Sequence, residues 1–184
     1  MDYIKVSVGG TTVYPYLLSR LQLDFPTTSF PQPYEVAPLA DFGVFPVTPS
    51  SPPSYNRPTQ KLVEQTPVLT NGVYTQVWSV QPLSAQEQQT VAAQIQGEIV
   101  AATQERLDLF ARTRNYDGIL SLCTYATSPT QKFADEGQYG VAARDATWAK
   151  LYEILAEVQA GTRPMPSSYA DIEPDLPPLA WPTP

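Results

Sequence analysis

Proline placement divides this chain before any other feature is considered. Of its 20 prolines, twelve precede Ser84, one lies between Ser84 and Arg163, and seven follow Arg163. Proline lacks a backbone donor and its ring clashes with the preceding helical turn, so long regular helices fit only the middle stretch. That stretch opens Ser84-Ala85-Gln86-Glu87, the form of a capping box, in which a hydroxyl and a carboxylate three residues apart satisfy each other's backbone amides. Ile95, Ile99, Ala102, Leu107, Leu109 and Phe110 then fall at intervals that lay an apolar stripe along a helix running to about Arg114. A second run, 130–160, carries Phe133, Val141, Trp148, Leu151, Leu155 and Val158 and stops at Gly161, a residue suited to the left-handed turn after a helix. Between them, 116–126 is long enough for a short helix, with Ile119, Leu120, Leu122, Cys123 and Tyr125 apolar. The pattern predicts a three-helix bundle with Trp148 in its core.

The first 83 residues read differently. Tyr3–Val8 and Thr11–Tyr16 are β-branched and aromatic around Gly9-Gly10, which predicts a hairpin with a two-residue loop. Leu17, Leu18, Leu21 and Phe25 give one or two helical turns before Pro26. From Pro26 to Pro58 the prolines are interleaved with Phe30, Tyr34, Val36, Leu39, Phe42, Val44, Phe45 and Val47, more apolar side chains than a free linker carries. An ordered wrapping segment is expected, with one strand near 43–48 and an exposed loop at 50–54. Gln60–Leu69 and Val73–Val80 flank Thr70-Asn71-Gly72, the strongest short hairpin signal. After Gly161, seven prolines and Met165, Tyr169, Leu176, Leu179 and Trp181 describe an extended strap with apolar groups to dock. The fold class expected is therefore α+β, with a small antiparallel β domain (1–83), a helical domain (84–163) and a C-terminal strap (164–184).

Composition excludes several classes of function. A net charge of −7 with no basic cluster argues against a nucleic-acid partner, because phosphate binding relies on several cations. No basic region followed by an apolar run opens the chain, and no apolar run is long enough for a bilayer, so neither a cleaved leader nor a membrane partner is expected. The chain contains no histidine, the commonest general base and metal ligand. Cys123 lacks a base and is expected as a packed residue. Glu98, Glu105 and Asp108 lack the Glu-x-x-His elements of a carboxylate metal site and are expected as a solvated, ion-paired helix face. Asp171, Glu173 and Asp175 lack the glycine and distal glutamate of a calcium loop and read as solubilising charges. No catalytic residue, metal or cofactor is assigned. The candidate partner-binding residues are Leu176, Leu179 and Trp181, a proline-stiffened apolar peptide, with Ile95 and Ile99 on the long helix. The repeat Ala92, Ile95, Ile99, Ala102, Arg106, Leu109 either seats against the second long helix or pairs with another subunit as a homo-oligomer.

Several short motifs in the C-terminal half occur together. They are Tyr116-Asp117, Cys123-Thr124-Tyr125-Ala126, Phe133-Ala134-Asp135-Glu136-Gly137, Arg144-Asp145-Ala146-Thr147-Trp148 and, displaced, Leu176-Pro177-Pro178-Leu179-Ala180-Trp181-Pro182. With Asp41-Phe42-Gly43-Val44-Phe45-Pro46-Val47 and Trp78-Ser79-Val80, this set resembles bacteriophage tail-fibre assembly, or tail-chaperone-like, proteins over most of the chain. The resemblance implies a noncatalytic protein that binds a tail-fibre or baseplate protein, acting in the host cytoplasm during assembly. Its alternative is a permanent virion component that serves as a fibre or baseplate adaptor and is retained in the tail. No functional residue is carried over with the resemblance.

Overall fold

A computed structural model of the chain describes residues 2–30, 34 and 36–182. Pro31 and Pro33 of the wrapping segment, the side chain of Val36 and the last two residues of the strap lie outside that description. The fold is mixed α/β. The chain divides into two compact units, Met1–Asn56 with Gln60–Pro82, and Arg57–Thr59 with Leu83–Pro184.

The first unit is a five-stranded sheet in the order β2-β1-β3-β5-β4, from β1 (Asp2–Val6), β2 (Thr12–Val13), β3 (Val44–Thr48), β4 (Gln60–Thr70) and β5 (Val73–Pro82). The expected all-antiparallel sheet is corrected at one pairing. β3 and β5 run parallel, with Val47 opposite Tyr74 and Thr48 opposite Thr75, because β4 intervenes in sequence and takes the sheet edge. The opening hairpin also departs from a two-residue loop. Ser7 N donates to Thr11 O and Gly10 N to Ser7 O, giving three loop residues with Gly10 alone at positive φ, +79°. The β4–β5 hairpin turns as expected on Asn71 and Gly72, both at positive φ. Pro67, which has no N–H to give, sits where the β4–β5 register shifts, on the edge strand. The helical turns α1 (Leu21–Asp24) and α2 (Val36–Ala40) lie against the sheet, and Tyr16, Leu21, Leu39 and Val44 form the core beneath. Phe25, Phe30 and Phe42 meet edge to face there, with centroids 4.9–6.3 Å apart, so the proline-rich segment is wrapped by its aromatics.

The second unit contains α3 (Ala85–Arg112), α4 (Ile119–Thr124) and α5 (Gln131–Gln159). Ser84 caps α3 with the complete capping box. Past α5, Thr162 N donates to Glu157 O and Gly161 N to Val158 O, the two bonds of a Schellman turn. α3 and α5 run in opposite directions. Ile95 and Ile99 share a cluster with Leu151 and Ile154, whereas Leu107 and Ala111 meet Ile119 and Leu122 of α4.

The apolar stripe expected on α5 is displaced. Small residues, Ala134, Gly137, Gly140, Ala143 and Thr147, are buried, while Phe133 and Val141 are exposed and Trp148 is half-buried between the two clusters. Close approach of α4 and of the 3-10 turn that follows it, 125–127, decides this. A Cβ on Gly137 would stand 2.3 Å from Ala126 N, and one on Gly140 2.7 Å from Leu122 Cγ. The larger side chains are thereby turned outward, Leu120 of α4 among them. Thr103 and Thr147, both fully buried, satisfy their hydroxyls by donating to the carbonyls one turn back, Ile99 O and Ala143 O, each at 2.8 Å.

Candidate functional site

α3 and α5 touch through Ile95, Ile99, Leu151 and Ile154, and above that contact their faces diverge into an open groove of about 920 Å³. Gln89, Ala92, Ala93, Gln96 and Val100 line one wall, and Arg144, Trp148, Leu151, Tyr152 and Leu155 the other. Met165, Pro166 and Ile172, from the segment after α5, close it. Val100 and Tyr152 are exposed on its rim. Helix geometry explains why it lies there. Ala93, Val100 and Leu107 are seven residues apart, so they follow nearly one line along α3. α4 covers that line at Leu107 and Ala111, but it has only six residues against the 28 of α3, and the line stays bare further toward the start of α3.

Arg144 is the charged side chain among the residues that line this groove. The other arginines of the helical unit are engaged. Arg57 binds Glu98 through both terminal nitrogens at 2.7 and 2.8 Å, Arg112 pairs with Glu105, Arg163 with Asp175 and Arg114 with Glu136, while Arg106 donates to Pro177 O. Arg144 has no hydrogen bond or ion pair among the described residues, and its Nε is buried without an acceptor. Arg106 Nη1 and Tyr169 Oη are likewise buried without partners, at the contact between α3 and the segment that follows α5.

The five residues singled out in the sequence pack within the helical unit. Ile95, Ile99 and Leu176 are buried in one cluster together with Ile172. Ile99 also reaches the groove floor. Leu179 and Trp181 pack on the second cluster. Trp181 stacks on Phe110 at 4.2 Å, lies beneath the Arg114 guanidinium at 4.5 Å, and donates its indole N–H to Thr113 Oγ1 at 2.9 Å. Sequence reading passes over Ala93, Val100 and Tyr152, and meets Arg144 only within a motif of the resemblance, with no role assigned. The seven-residue spacing was the available signal, but it shows a buried face equally well.

Beside the Trp181 contact, Glu136 is buried and ionised. Burial pushes its carboxyl up, but hydrogen bonds from Tyr116 Oη, at 2.7 Å, and from Arg114 outweigh that and hold it below the usual carboxylate range. The Tyr116 phenol, partly buried and donating to Glu136, is pushed up to about 12. Neither group changes charge near neutral pH, so the pair serves as a structural clamp rather than an acid–base couple. Burial raises the Cys123 thiol, which keeps it un-ionised. Among the described residues no group of three or more Cys, Asp or Glu side chains converges as a metal site. Glu98 and Glu105 are paired as above, and Asp108 accepts from Ile119 N at 2.7 Å. Two of the three acidic tail residues have more specific roles than solubility. Asp171 accepts from Ser167 N and Ser168 N to cap a 3-10 turn, and Asp175 binds Arg163 at 2.6 Å. No helix among the described residues is long and apolar enough to cross a membrane. No family model, curated protein or solved structure matches the chain.

Proposed function

We propose that this chain is a noncatalytic bacteriophage tail protein that binds the tail fibre and assists its folding or assembly. The reading combines the motif resemblance with one structural observation, the open apolar groove between α3 and α5. We read the helical unit as a three-helix bundle with a short third member, and residues 164–184 as a strap that completes its core through Ile172 and Leu176. The protein would act in the host cytoplasm while the fibre trimerises.

Co-expression with the neighbouring fibre gene, followed by sizing of the purified material, tests the proposal. A fibre that is soluble only with this chain, and elutes with it, is the expected result. A fibre that folds equally well alone and elutes separately would overturn it. Mass spectrometry of purified virions then separates an assembly protein, absent from particles, from a permanent adaptor, present in them.

A further inference from the structure

A bundle of long helices normally buries each apolar line along its full length, and here the third position is filled only over the last turns of α3. The vacant part runs from Gln89 to Val100, about 17 Å at 1.5 Å per residue, which is the length of roughly three helical turns. Ala92 and Ala93 keep one wall low, so a backbone can approach at helix–helix distances. On the other wall, Arg144 has no counter-ion among the described residues, and its Nε is buried without an acceptor there, in a chain of net charge −7. The terminal nitrogens of this half-buried side chain are the ones a partner's acceptor can reach.

Resting on the reading of this chain as a binding protein, we propose that the groove receives an amphipathic helix of a partner chain, about three turns long, with its apolar ridge between α3 and α5 and a carboxylate against Arg144. A second copy of this chain fits less well. The groove is concave, its symmetric self-contact would leave a void, and it would bring two unpaired Arg144 side chains to the same interface.

The test uses the full chain and a displayed library of helical peptides of about fourteen residues, with apolar residues fixed at i, i+3, i+4 and i+7 and the remainder randomised. Enriched peptides should carry Asp or Glu beside the apolar ridge. Synthesised singly, they should lose about tenfold or more in affinity on Arg144→Gln, the loss expected for a charged hydrogen bond, and more on Ala93→Trp, which fills the groove from an exposed position. Thermal melts of both variants should match the wild type. If Ala93→Trp fails to fold, Gln96→Trp, on the same exposed face, replaces it. The proposal is overturned if no peptide enriches, if binders show no acidic preference and ignore Arg144→Gln, or if the filled groove binds as before. A homodimer that Ala93→Trp dissociates would assign the groove to a second copy and also overturn it. Normal capture of the fibre by Ala93→Trp would sink this inference while leaving the fibre reading intact. Acidic helical peptides that bind where no fibre is captured would sink the fibre reading alone.

Discussion

Glu136 has 3% of its surface exposed and is the one buried carboxylate among the described residues, so it tests how the helical unit tolerates charge inside. Its two donors differ in setting. Tyr116 is a neutral phenol, while Arg114 is one-third exposed and partly screened. Replacing Glu136 by Gln keeps the shape and removes the charge, and should cost about 1.5–3 kcal/mol, the range for hydrogen bonds to a charged group. Urea titration at pH 7 checks this; a loss under about 0.5 kcal/mol would show that the clamp is idle. The sign of the pH dependence follows from the lowered carboxyl. The folded state holds the proton less tightly than the unfolded chain, so the contribution is complete above pH 4.5 and disappears as pH falls through the folded value. Wild type should therefore lose stability below pH 4.5 more steeply than Glu136→Gln. Parallel acid slopes for the two proteins would contradict the assignment.

Two glycines inside long helices give a matched experiment at the level of elements. In an exposed helix, Gly→Ala stabilises by roughly 0.5–1 kcal/mol, because alanine loses less backbone entropy. Gly97 of α3 is exposed with nothing within 4 Å of a built Cβ, and Gly97→Ala should show that gain. Gly137 of α5 lies under the 3-10 turn 125–127, where the added methyl would meet backbone at 2.3 Å. There the sign should invert, with a loss of about 1–3 kcal/mol from overpacking. Equal effects at the two sites would mean that α4 and its following turn do not sit as closely on α5 as described. In the sheet, the β4–β5 turn offers a similar contrast. Gly72 has φ +82° and open space around it, so Gly72→Val is opposed by backbone conformation alone and should lower the melting temperature. Gly72→Asn, which tolerates that region, should recover most of the loss.

For the whole chain, the informative deletion is of residues 164–184. Ile172 and Leu176 are 0% and 5% exposed against Ile95, Ile99, Leu151 and Ile154, and each contributes roughly 1.5–3 kcal/mol of burial before the cost of ordering the segment. The deleted protein should lose about 2–4 kcal/mol and expose apolar surface to a hydrophobic dye. Prolines lower the ordering cost, since the free segment has fewer states to lose. A truncated chain that melts like the full one would leave these contacts without energetic weight. Because this segment also closes the groove through Met165 and Pro166, the deletion should weaken peptide binding as well.

Local chemistry was enough to read much of this protein from its sequence. The capping box at Ser84, the Asn71-Gly72 turn, the stop at Gly161 and the confinement of long helices between the proline-rich flanks all depend on backbone preferences that act within a few residues. Tertiary structure decided the rest. The parallel pairing of β3 with β5 depends on which strand reaches the edge, and no local signal records that. The buried face of α5 follows close approach rather than apolar size: α4 and the turn after it select glycine and alanine and turn Phe133 and Val141 outward. For the same reason the groove was invisible. Its residues look like core on a helical wheel, and only the shortness of α4 in space leaves them uncovered.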